Sequence, residues 1–127
     1  MAKALLVNLD LDAGLDVLRA LDAAEVPVKV ALWAFLEEYE DWRLILASPK
    51  FDAVGIPEGF GIIRKATDAA GITIDRTPAL VPMRMNSPFI RELRRLFGKA
   101  KSVDGMRLGG QTIGGRYLED AYVYRVS

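Results

Sequence analysis

The segment Val28–Phe35 constrains the fold more than any other part of the chain. Val28, Val30, Leu32 and Ala34 alternate with Lys29, Ala31, Trp33 and Phe35, so an extended backbone here is apolar on almost both sides. Such a strand suits a position covered on both faces. The polar run Glu37-Glu38-Tyr39-Glu40-Asp41 then makes a turn, and Trp42 to Ser48 reads as a second strand. With the turn centred on Glu38 and Tyr39, Phe35 falls opposite Trp42 and Trp33 opposite Leu44. Aromatic cross-strand pairs of this kind add about 0.2–1 kcal/mol each over alanine pairs.

The other segments supply the covers. Leu11, Leu15, Leu18 and Leu21 with Val17 recur at helical spacing over residues 11 to 24, with Asp10 or Asp12 as cap and an end near Glu25, before Pro27. Gly55-Ile56-Pro57-Glu58 opens a second helix that Gly71 closes. From Ile72 to Met85 the chain is extended, but Pro78 and Pro82 lack ladder donors, which predicts a sheet edge. A third helix, residues 88 to 99, starts at Ser87-Pro88. It gathers Phe89, Ile90, Leu93, Leu96 and Phe97 on one side and Arg91, Arg94, Arg95 and Lys99 on the other, with Gly98 at its end. Met106 to Ile113 and Arg116 to Val126, joined by Gly114-Gly115, form a final hairpin with a type I′ turn.

The predicted order is α-ββ-α-β-α-ββ: a single α+β domain over residues 1–127, with one mostly antiparallel layer of about five strands packed by about three helices on one sheet face. At 127 residues and 51% hydrophobic content the chain can bury a core without staples. It has no repeat, low-complexity tract or linker.

Composition narrows the chemistry. There is no His and no Cys, which removes imidazole and thiolate metal ligands, thiol nucleophiles, disulfides and the Ser-His-Asp triad. The N-terminal apolar run is shorter than a signal-peptide core, and no stretch approaches the roughly 18–20 apolar residues of a membrane span. A cytoplasmic protein without membrane contact is the expectation, and no cofactor or metal is implied. Net charge is zero but uneven: residues 1 to 60 hold 5 basic and 11 acidic side chains, residues 61 to 127 hold 12 basic and 6 acidic.

Two short motifs lose to plainer readings. The apolar run and Asp-x-Asp of Leu5–Asp12 superficially resemble the start of haloacid-dehalogenase-like phosphatases, yet helix capping by Asp10 and Asp12 explains those residues with no missing parts. Gly55–Gly61 is glycine-rich but lacks both Gly-Lys-Ser/Thr and Gly-x-Gly-x-x-Gly, and Glu58 would repel a phosphate.

Two places keep functional interest. Arg91, Arg94, Arg95 and Lys99, extended by Arg84, Lys101 and Arg107, form a basic stripe of the kind that meets phosphate backbones. In the final hairpin Gly109 and Gly110 lie opposite Asp120 and Glu119, so two carboxylates face positions without side chains, where a bulge or a close backbone approach fits. Asp120, Tyr122 and Tyr124 share one strand face, with Glu119 and Arg125 on the other.

Leu18-Arg19-Ala20-Leu21-Asp22-Ala23-Ala24, Val26-Pro27-Val28-Lys29, Ala31-Leu32-Trp33, Trp42–Pro49 and the ending Glu119–Arg125 together resemble a functionally uncharacterised family of small bacterial proteins. The resemblance covers most of the chain and implies a stand-alone domain; it carries over no catalytic residue.

The favoured expectation is a non-catalytic interaction or accessory domain that self-associates as a homodimer, or binds another protein, through a sheet edge or complementary charged surfaces. The alternative is a nucleic-acid-binding protein or metal-dependent nuclease, with helix 88–99 on the phosphates and Glu119, Asp120 or the Glu37 to Asp41 cluster holding a divalent ion. A third reading has Arg43 and Arg84 hold an anion near Tyr122 and Tyr124.

Overall fold

A computed structural model of the chain describes Leu6, residues 8–100 and residues 102–127, with Leu9 described by its backbone only. Most of the N-terminal apolar run and Lys101 of the basic stripe therefore lie outside the described residues. The elements are α1 (Asn8–Ala23), β1 (Val30–Leu36), β2 (Asp41–Ala47), α2 (Pro49–Val54), α3 (Ile56–Ala69), a 3-10 turn at Ile74–Arg76, β3 (Leu80–Met83), α4 (Pro88–Phe97), β4 (Met106–Leu108), β5 (Gln111–Ile113), β6 (Arg116–Leu118) and β7 (Asp120–Val126). This is an α+β fold in the expected order: a five-stranded mixed sheet ordered β3-β2-β1-β7-β4, with β5 and β6 as a separate two-stranded ribbon.

β1 is central and buried at all seven positions. Its Val30, Leu32, Ala34 and Leu36 join a core with Phe89, Ile90 and Leu93 of α4 and Ile113 and Leu118 of the ribbon. Ala31, Trp33 and Phe35 join a second core with Val17, Leu18 and Leu21 of α1, Phe51 of α2 and Ile63 and Ala66 of α3. The helices thus cover both faces of the sheet, not the one face expected, because the covering of β1 on both sides requires a layer on each. The β1–β2 register is the predicted one, Phe35 against Trp42 and Trp33 against Leu44, with the first pair edge to face at 5.8 Å.

Several local expectations change. α1 begins at Asn8, so Asp10 lies in its first turn and Asp12 inside it, and neither stands before the helix as a cap. α2 was not anticipated. Ser48 accepts a hydrogen bond from the Lys50 amide at 3.1 Å, Pro49 fills the first turn, and Phe51 anchors the helix in the core. Leu96 of α4 is exposed and stays off the buried stripe.

β3 lies at the sheet edge, parallel to β2. The Leu44 amide donates to the Ala79 carbonyl at 2.8 Å, so alternation turns residue 82 away from β2. Pro82 thus costs no ladder bond and removes a donor from the outer edge.

The final hairpin keeps one register from Met106 against Val123 to Ile113 against Arg116, with Gly109 and Gly110 across from Asp120 and Glu119 as expected. It is nonetheless two pieces. The ladder breaks at the glycine pair, Gly110 adopts φ 64°, and the β5–β6 tip turns onto the start of α4. A Cβ at Gly114 would sit 2.2 Å from the Pro88 carbonyl oxygen, whereas one at Gly115 meets nothing within 4 Å. Both glycines have positive φ. Gly114→Ala is therefore expected to destabilise by about 2 kcal/mol more than Gly115→Ala, an overpacking penalty added to a shared backbone strain. Urea midpoints at equal m-values measure the difference.

Candidate functional site

The candidate surface is built from the charges that the two helical layers carry. α1 spans Asp10, Asp12, Asp16 and Asp22 with a single base, Arg19. α4, on the opposite face of the sheet, spans Arg91, Arg94 and Arg95 with a single acid, Glu92. α1 and α4 thus carry opposite charge on opposite faces of the sheet, although α3, on the α1 side, adds Arg64 and Lys65 to Glu58 and Asp68. Among the described residues two ion pairs join the halves of the sequence: Arg125 with Asp22 at 2.8 Å, and Arg116 with Glu38.

On the acidic face, α1 and the segment around the 3-10 turn flank a groove of about 1070 Å³, lined in part by Asp10, Asp12, Asp16, Asp75, Arg19 and Arg76. Asp12 and Asp16 form no hydrogen bond or ion pair with the described residues. Asp75 is held below the usual carboxylate range, first by the Thr73 hydroxyl and then by its own backbone amide. Sequence reasoning spent Asp10 and Asp12 on capping and passed over Asp16. The signal it missed is the four-residue step from Asp12 to Asp16, which puts both on one side of a helix.

On the basic face, Arg94 donates from Nε to the Ser127 carbonyl at 2.7 Å. Arg95 chelates Glu92, whose carboxyl is held low by that hydrogen bond. Arg84, Arg91 and Lys99 are exposed and have no partner among the described residues. Arg107 is not part of this face: it pairs with Asp120 at 2.8 Å and lies 6.0 Å from the Tyr122 ring, in the layer facing α1.

The remaining candidates do not assemble. Arg43 stacks over Tyr39 at 4.3 Å, with a buried Nε that finds no hydrogen-bond partner. By alternation with Trp42 and Leu44 it faces the α4 side, while Tyr122 and Tyr124 pack in the α1 core. Arg84 lies between β3 and α4, so the anion site of Arg43, Arg84 and the two tyrosines is not brought together. Glu119 is exposed, and Asp120 is engaged by Arg107 and by the Ala121 amide. Among the described residues no three acidic side chains converge as metal ligands.

Tyr124 has a different role. β7 bulges between its pairings with Ala31 and Leu32, making Tyr124 the extra residue. Its hydroxyl accepts from Trp33 Nε1 at 2.9 Å and donates to the Leu11 carbonyl of α1 at 2.6 Å. Gly14 leaves room for this, since a Cβ there would lie 2.6 Å from the hydroxyl oxygen. The bulge also carries Arg125 to the α1 side, where it forks onto Asp22 and reaches the Val28 carbonyl, so it does not point away from Tyr124 as alternation predicts.

Burial pushes the Tyr124 phenol up to about 12; the Trp33 hydrogen bond acts against this, and Tyr122, Asp12 and Asp104 add to it. A phenol raised above its unfolded value of about 10 contributes stability that is complete below pH 10 and is lost as pH rises toward 12. Tyr124→Phe is expected to cost about 1–2 kcal/mol at pH 7, from the orphaned Trp33 donor and Leu11 carbonyl. The variant should also lose less stability than wild type between pH 10 and 12. Denaturant titrations at three pH values check both.

No family model, no curated protein and no solved structure matches the chain.

Proposed function

We propose that the chain is a non-catalytic interaction domain that self-associates head to tail, with the basic α4 face of one copy meeting the acidic groove beside α1 of the next. The observation that carries this reading is the placement of an acidic and a basic helix on opposite faces of one sheet, where, among the described residues, Asp12 and Asp16 on one side and Arg84, Arg91 and Lys99 on the other have no partner. Complementary surfaces of this kind steer and orient association. Strand addition is the weaker route. The β3 edge carries Pro82, and β4, the other edge, is three residues long.

Because the two surfaces differ and face apart, the contact is heterologous and builds rings or open chains, not a two-fold dimer. Light scattering across protein concentration is expected to show rising mass at about 50 mM salt and monomer at about 500 mM, where screening is severe. Arg91→Ala/Lys99→Ala and Asp12→Asn/Asp16→Asn, which neutralise one face each, should be monomeric alone, and their mixture should form a capped heterodimer through the two faces left intact. A wild-type monomer at every concentration and salt overturns the reading.

The exposed bases Arg84, Arg91 and Lys99, without partners among the described residues, also favour a second reading, a weak nucleic-acid contact. Three phosphate contacts give a logarithmic salt slope of about −3, so a gel shift should appear near 50 mM salt and vanish by 200 mM. No shift at low salt removes it.

A further inference from the structure

We propose that the pocket between α3 and the 3-10 turn binds a small monocarboxylate with an apolar body. The pocket measures about 320 Å³, and Phe60, Ile63, Ile74 and Leu80 form its apolar walls. It adjoins the acidic groove, with which it shares Thr77 and the 3-10 turn, but opens toward α3 instead of α1. At about 30 Å³ per water-sized group it takes on the order of ten heavy atoms, and its size and lining fall at the small end of ligand sites.

Three observations point to a ligand of that kind. Phe60 and Ile74 flank the pocket yet are 46% and 66% exposed, the second being the largest exposure among the bulky apolar residues. The hydroxyls inside are already spent: Thr67 donates to the Arg64 carbonyl at 3.0 Å and Thr77 to the Thr73 carbonyl at 2.9 Å. The interior thus asks for an apolar body. The charged lining residue is Arg64, whose pairing with Asp68 is long, 3.4 Å, and exposed on both sides. Such a pair is weak, so a ligand carboxylate competes well for the guanidinium.

The third observation is Gly61. Glycine is the poorest helix former after proline, and α3 has two in its first half. Gly59 has a packing reason, since a Cβ there would press on Phe51 at 3.1 Å; Gly61 has none, for a Cβ would meet nothing within 4 Å. Yet Gly61 lines the pocket. A helix that forgoes a side chain over open space keeps that space for something else.

Decanoate and hydrocinnamate serve as aliphatic and aromatic probes, with decanol as the uncharged control. Amide chemical shifts and thermal shift follow binding to the wild-type chain. At least one carboxylate should bind, perturbing Gly61 and Ile74, and decanol should bind about two- to fivefold more weakly, as an exposed ion pair allows; Arg64→Gln should erase that difference. Gly61→Leu fills the pocket and improves helix propensity, so it should raise the Tm while abolishing binding. Failure of both carboxylates at millimolar concentration, equal binding of decanol, or undiminished binding to Gly61→Leu each overturns the proposal. Whether decanoate or hydrocinnamate binds more tightly tells an aliphatic body from an aromatic one.

Discussion

The structure depends on the burial of β1 on both faces. Seven consecutive positions are shielded, four against one core and three against the other. No single layer can do that, because successive side chains of a strand point to opposite sides. Two covering layers follow. The chain supplies them in order: α1, α2 and α3, interleaved with the first sheet strands, cover one face, and α4 with the β5–β6 ribbon covers the other. Full burial of a leucine or valine contributes roughly 1.5–3 kcal/mol. The residues of β1 are therefore the largest contiguous source of stability, and every other element is placed relative to them.

Attachment of α1 relies on more than apolar contact. Val17, Leu18 and Leu21 bury its stripe, while the Trp33–Tyr124–Leu11 chain of hydrogen bonds fixes where along the sheet the helix sits. The bulge in β7 makes this geometry available. Without the extra residue, Arg125 would turn toward the α4 core, and Val126, now buried there, would turn toward α1. One inserted position thus serves two ends: a charge stays out of the core and reaches Asp22, and the phenol meets its partners.

Much of this was legible in the sequence, for physical reasons that can be named. The β1–β2 register follows from two apolar runs around a short polar turn, and the final hairpin register follows from Gly114-Gly115. Both are local. What was hidden is long-range or conformational. α2 is six residues, too short for a period to show, although Ser48-Pro49 repeats the Ser-Pro opening of α4. The break at Gly109-Gly110 and the β7 bulge leave composition unchanged and alter only where side chains point, so alternation misplaced Arg125. Of the candidate residues, Arg91 and Arg84 are exposed and without partners among the described residues, whereas Arg94, Arg95 and Asp120 have partners that sequence spacing did not disclose. The acidic groove was missed because its walls, α1 and the segment near Asp75, are some fifty residues apart in the chain.

The separation of charge across the sheet has a consequence for how those charges are used. A helix layer packs about 10 Å from the sheet plane, so the outward faces of α1 and α4 are roughly 20 Å or more apart. The screening length is about 10 Å at 0.1 M salt. The two faces therefore do little to neutralise one another within the molecule, even though the chain as a whole is neutral. Each remains available to an external charge that can approach within a few ångströms, where attraction is far stronger than across the sheet. A neutral chain with interleaved charges would gain nothing from a second copy of itself. The proposed self-association rests on this difference between one acidic helix, α1, on one side of the sheet and one basic helix, α4, on the other.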